Sequence, residues 1–109
     1  PSTIVSMSFS NNSNLTSSWL STLPSSLAYF WCRDNPYLES LPTMPPNLIF
    51  LDVSNNNLTS ICQDNICADL VTNALNSGAL YIHGNQALLP VTLTRITTLL
   101  SRAWTVQYV

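Results

Sequence analysis

Few side chains in this sequence could move a proton, attack a carbonyl or hold a metal. There is one histidine, His83, and three cysteines, Cys32, Cys62 and Cys67; the carboxylates are Asp34, Glu39, Asp52, Asp64 and Asp69. Metal sites need three or four ligands that converge, and these carboxylates are scattered along the chain. Cys62 and Cys67 have the spacing of a metal half-site without a second half, and they could equally form a local disulfide. An odd cysteine count leaves at least one thiol unpaired within the chain. Cys32 reads as a small apolar filler, while the other two stay open. With only Gly78 and Gly84, no glycine-rich loop can cradle a phosphate. The expectation is therefore a protein that is not an enzyme and needs no metal or cofactor.

The elements that would position these groups follow an uneven apolar spacing. In "LIFLDVSNNNLTSI", residues 48 to 61, Leu48, Leu51, Val53, Asn56 and Leu58 fit neither a helix nor a simple strand. The spacing recurs as Leu27, Phe30, Cys32, Asn35, as Ile4, Met7, Phe9, Asn12, and as Leu80, Ile82, Asn85, where Ser77 fails the first position. The asparagines stand 23, 21 and 29 residues apart. Each L-x-L pair would lie on a short strand and point inward with period two. Each Asn would end its strand and bond the backbone of the bend, where no sheet ladder serves those groups. Asn12, Asn35, Asn56 and Asn85 would then form a structural ladder. The predicted buried set of the best-fitting turn is Leu48, Leu51, Val53, Leu58 and Ile61.

These residues resemble the leucine-rich-repeat family. "LESLPTMPPNLIFLDVSNNNLTSI", residues 38 to 61, looks like the short repeats of secreted bacterial effectors of that family, with their L-P-x-x-P-x-x-L linkers. "STLPSSLAYF", residues 21 to 30, gives a shorter form of the same linker. The resemblance covers roughly residues 4 to 90. It departs from the family in the long third interval, the near absence of charge and the missing caps. It implies an α/β solenoid of about five short parallel strands in one curved sheet. It also implies a single leucine-rich-repeat domain over residues 1 to 109, with repeats starting near 4, 27, 48 and 77. Cys67-Ala68-Asp69 matches the C-x-D of a ubiquitin-ligase domain found in some of these effectors, but the chain has no room for that domain.

Two segments read as helices. Residues 65 to 78 carry Ile66, Leu70, Ala74 and Leu75 at helical spacing, with Asp64 or Asn65 as cap and Gly78 at the end. Residues 91 to 103 carry Val91, Ile96, Leu99 and Leu100. Residues 104 to 109 alternate Trp104, Val106 and Tyr108 as a last strand. The convex side is thus coil or 3-10 in the first half and helical in the second. Ile4 to Phe9 and residues 104 to 109 would be open edges, so the expectation is a fragment or a partner that covers an end. Sequons stand at Asn11, Asn14 and Asn57, and in the last two Asn-Leu-Thr is what the repeat itself prefers.

In this repeat the residues between the inward leucines face the concave side. They fall into three columns: Ser6, Tyr29, Phe50, Ala79; Ser8, Trp31, Asp52, Tyr81; and Ser10, Arg33, Ser54, His83. Tyr29, Trp31, Arg33, Phe50, Asp52, Tyr81 and His83 make an aromatic cluster rimmed by charge, the residue types of interface hot spots. The plainer reading is that the rings pack on one another or on a flanking segment, filling a flat sheet. Only 7% of residues are charged, against an ordinary value of about 25%. There is no lysine, and the net charge is −2. Three arginines cannot carry nucleic-acid binding through counterion release. No apolar run is long enough to cross a membrane. The expected partner is a protein or further copies of the chain, with no nucleic acid and no membrane insertion. The leading function is a protein-binding module acting through the concave sheet. The alternative is a structural or decoration subunit of a virion, filament or surface layer. The sparse charge favours an extracellular or virion-associated setting.

Overall fold

The computed structural model describes residues 4–17 and 20–109; residues 1–3 and 18–19, part of the expected 1–109 domain, lie outside that description. Among the described residues the chain is α/β, with five parallel strands in one sheet and two α-helices. The strands are β1 (Ser6–Ser8), β2 (Tyr29–Trp31), β3 (Phe50–Asp52), β4 (Ala79–Tyr81) and β5 (Thr105–Gln107). Helix α1 (Ser60–Asn73) joins β3 to β4, and α2 (Pro90–Ser101) joins β4 to β5. The sheet order is β1-β2-β3-β4-β5, so each strand pairs with its sequence neighbours.

The register is uniform. Met7, Phe30, Leu51, Leu80 and Val106 stand opposite one another in a central inward row. Phe30, Leu51 and Leu80 are fully buried, whereas Met7 and Val106 at the two edges are partly buried. Leu27, Cys32, Leu48, Val53 and Ile82 extend this core on either side of the strands. Ile4 and Phe9 in the first turn are only partly buried.

Strands β1 to β4 are short because the chain bends sharply a few residues after each. Asn11, Asp34, Asn55 and Gly84 all have positive φ, between 56° and 75°. Asn, Asp and Gly are the types that tolerate this left-handed region. Each immediately precedes one of the spaced asparagines. The N–H of Asn11 donates to the Arg33 carbonyl, that of Asp34 to Ser54, and that of Asn55 to His83. The bends therefore stack as regularly as the strands. Gly84 has a second reason to be glycine, because a Cβ there would lie 2.1 Å from Asn55 Oδ1.

The helices differ from expectation at their ends. α1 starts at Ser60 instead of 65, because Thr59 is its N-cap and accepts from the Cys62 N–H at 3.1 Å. Asp64 and Asn65, the expected caps, lie inside the helix. It stops at Asn73 because Ala74 adopts φ 59°, ahead of the expected stop at Gly78. Gly78 serves a different purpose: a Cβ there would sit 2.5 Å from the Trp104 ring. Ile61, expected to be buried, is 67% exposed, since α1 turns Cys62, Gln63, Ile66, Cys67 and Leu70 inward instead. α2 begins with Pro90 in its first turn and buries Thr92, Ile96 and Leu99, while Val91 and Leu100 face outward.

Polar ties join the two helices and the last strand. Asp64 Oδ1 accepts from Thr92 Oγ1 and Arg95 Nε, both at 2.9 Å. Arg102 donates to the Val71 carbonyl at 2.7 Å, and the Trp104 indole to the Leu75 carbonyl at 2.8 Å.

Candidate functional site

The outward face of the sheet is built by the alternation that buries the inward row. Ser6, Tyr29, Phe50, Ala79 and Thr105 share one register line, and Ser8, Trp31, Asp52, Tyr81 and Gln107 share the next. The structure brings four of the expected binding residues into one continuous run. The Tyr29 and Trp31 rings stack with centroids 6.3 Å apart, Trp31 and Phe50 lie 4.9 Å apart, and Phe50 and Tyr81 5.8 Å apart. These separations lie in the range of favourable ring pairs. The rings do pack on one another, yet they remain accessible: Tyr29 is 38% exposed, and Trp31, Phe50 and Tyr81 are half-buried.

The three polar members behave differently. Arg33 is exposed and its guanidinium lies 3.8 Å from Asp34, its chain neighbour, which makes a weak surface contact. Asp52 is only 9% exposed, so it is not the solvated rim charge that its place in the sequence suggested. Trp31 and Tyr81 flank it on the adjacent strands, and its Oδ1 accepts from the Ser54 N–H at 3.1 Å and the Ser54 hydroxyl at 2.6 Å. His83 is half-buried, and its Nδ1 is enclosed without a hydrogen-bond partner.

Of the four asparagines, Asn56 and Asn85 share one donor pattern, and Asn35 and Asn12 depart from it. Asn56 Oδ1 accepts from the Asn35 N–H, and its Nδ2 donates to the carbonyls of Cys32 and Val53. Asn85 repeats the donor pattern on Val53 and Ile82, but its Oδ1 accepts from the Leu58 N–H. Asn35 Oδ1 accepts from the Asn12 N–H, while its Nδ2 turns to Arg33 O and Cys32 Sγ. Asn12 merely accepts from the N–H of Asn14. Sequence reading missed the left-handed residues that aim these side chains. The signal was present in the dipeptides Asn11-Asn12, Asp34-Asn35, Asn55-Asn56 and Gly84-Asn85.

All three cysteines are free and buried, so Cys62 and Cys67 are not bonded to each other. Burial pushes the Cys32 and Cys67 thiols up to about 12 and raises Cys62 as well. They are thiols and not thiolate nucleophiles at neutral pH. Among the described residues, no three His, Cys, Asp or Glu side chains are grouped to hold a metal ion. No helix among them is long and apolar enough to cross a membrane.

A separate groove of about 480 Å³ lies beside α2, lined by Ile82, Leu88, Leu93 and Tyr108 together with Gln63 and Gln86. Its glutamine amides already donate to carbonyls of Leu58, Gln86 and Asn57, and it holds no charged group. No family model matches the chain, and the searches of curated proteins and of solved structures likewise return no match.

Proposed function

We propose that the chain is a leucine-rich-repeat solenoid that binds a protein through the outward, concave face of its sheet and catalyses nothing. The repeat reading is supported by the strand order, the uniform register and the stacked bends, each advancing by one turn. The observation that carries the binding reading is the accessible aromatic run from Tyr29 to Tyr81 across three strands. Rings held in place by their neighbours lose little freedom when a partner covers them, which favours them as anchors. The raised thiols and the isolated His83 support a role without chemistry.

The test is selection of a random dodecapeptide display library on the folded chain. Trp31→Ala combined with Tyr81→Ala should abolish recovery of the selected peptides while far-UV circular dichroism stays unchanged. Recovery that persists would place binding elsewhere.

One observation favours the second reading, a subunit of a large assembly. No charged side chain precedes Arg33, and neither β1 nor β5 carries one. Exposed sheet edges are ordinarily guarded by charge, and these two lack it. Light scattering decides between the readings: a stable monomer at high concentration removes the assembly.

A further inference from the structure

We propose that Asp52, with Trp31, Phe50 and Tyr81 around it, is the receptor for one arginine side chain of an extended segment in a partner protein. The inference rests on the binding role of this face and names what the face selects.

A carboxylate this well buried is ordinarily paired with a cation. Asp52 is not: among the described residues the ion pairs are Arg33 with Asp34 and Arg95 with Asp64. The remaining arginine, Arg102, is committed to the Val71 carbonyl. Both hydrogen bonds that the Asp52 carboxylate accepts come from Ser54 and go to Oδ1, which leaves Oδ2 to take a donor. The surroundings suit a cation. Trp31 and Tyr81 stand beside Asp52 on the flanking strands, and Phe50 precedes it on the same face. A cation over such rings is attracted by their negative faces, and the attraction grows as water is displaced. A neutral or acidic side chain there would desolvate the carboxylate without compensating it.

Arginine fits better than lysine. Its guanidinium is planar, stacks on aromatic faces, sheds water more readily and can place its N–H groups on a carboxylate in parallel. The face supplies a ring to stack on and a carboxylate oxygen to accept, side by side. His83 Nδ1, two residues beyond Tyr81, is a further polar atom without a partner.

The experiment uses the full chain, labelled with nitrogen-15, and a blocked pentapeptide probe, Gly-Ala-Arg-Ala-Gly, titrated to about 10 mM so that a millimolar Kd is readable. Its lysine and citrulline counterparts are titrated alongside; citrulline keeps the shape and removes the charge. The arginine peptide should shift the amide signals of residues 29–31, 50–52 and 79–81 saturably. Citrulline should bind at least about five-fold more weakly, with lysine in between. Asp52→Asn, which keeps an oxygen for the Ser54 bonds and so should keep its melting temperature, should erase the difference between arginine and citrulline.

Equal binding of arginine and citrulline would overturn the proposal while leaving the aromatic face as a binding surface. So would a preference for arginine that survives Asp52→Asn. Failure of every peptide to shift these signals would sink both readings. A second copy of the chain is the competing occupant, since Arg33 is 54% exposed. If Arg33→Gln alone converts a self-associated chain to monomer, the receptor serves self-assembly and the partner proposal falls.

Discussion

The two halves of the molecule share one sheet but not one backing. From β1 to β3 the described connecting residues hold no α-helix and are chiefly coil, and the first turn holds its place through small devices: the Ser26 hydroxyl on the Ile4 carbonyl, and an edge contact between Phe9 and Phe30. From β3 to β5 the connections are helices tied together through Asp64, Thr92, Arg95 and Arg102. The register is the same in both halves. What backs the sheet therefore does not set its pairing. The bends after each strand do, and the asparagines lock them. The aromatic face spans the join, with Tyr29 and Trp31 on the coil-backed side and Tyr81 on the helix-backed side.

Substitutions can break this comparison, beginning with the largest effect. Phe30→Ala should cost about 4 kcal/mol, because it empties a fully buried ring site and removes the partner of Phe9. Urea denaturation would read it, and a loss under about 1 kcal/mol would mean the coil-backed half is not folded through its core. Asn56→Ala should cost about 3 kcal/mol, since it strands the Asn35 N–H and the Cys32 carbonyl in the interior and takes from the Val53 carbonyl one of its two donors. Gly78→Ala should cost about 2 kcal/mol by pressing on the Trp104 ring, seen as a lower melting temperature with altered tryptophan emission. Asn12→Ala should cost only about 0.5 kcal/mol, because its oxygen serves one exposed turn. Equal losses for Asn12→Ala and Asn56→Ala would erase the distinction between an irregular first turn and a locked centre. Ile61→Ser should change stability by no more than about 0.5 kcal/mol, given its exposure.

The strands and their inward rows were legible from the sequence, because period two and the spaced asparagines are local signals. The first two outward columns were legible for the same reason. The left-handed residues before each asparagine were written there too, in the types Asn, Asp and Gly, and went unread. The start of α1 was missed because Thr59 resembles the repeat's own preferred residue at that point, and its capping role shows only when its oxygen meets the Cys62 N–H. Ile61 followed the repeat template into the core on paper, but the helix that begins beside it turns it outward. The burial of Asp52 was beyond local reading. It depends on Trp31 and Tyr81, which arrive from the neighbouring strands.

The enclosed cysteines give the molecule two clocks. Burial holds each thiol's pKa near 12, well above its ordinary 9.0, so reagents at neutral pH react with it only when its surroundings open. Cys32 sits just after β2 in the coil-backed half and Cys67 in α1, so their labelling rates time the opening of each half separately. The sign of their pH dependence is fixed as well. Both favour the folded state while protonated, so that contribution is intact below about pH 9 and lost as pH climbs from 9 towards 12. Alkali should therefore speed both clocks. If one then runs ahead of the other, the gap measures how far the halves come apart independently.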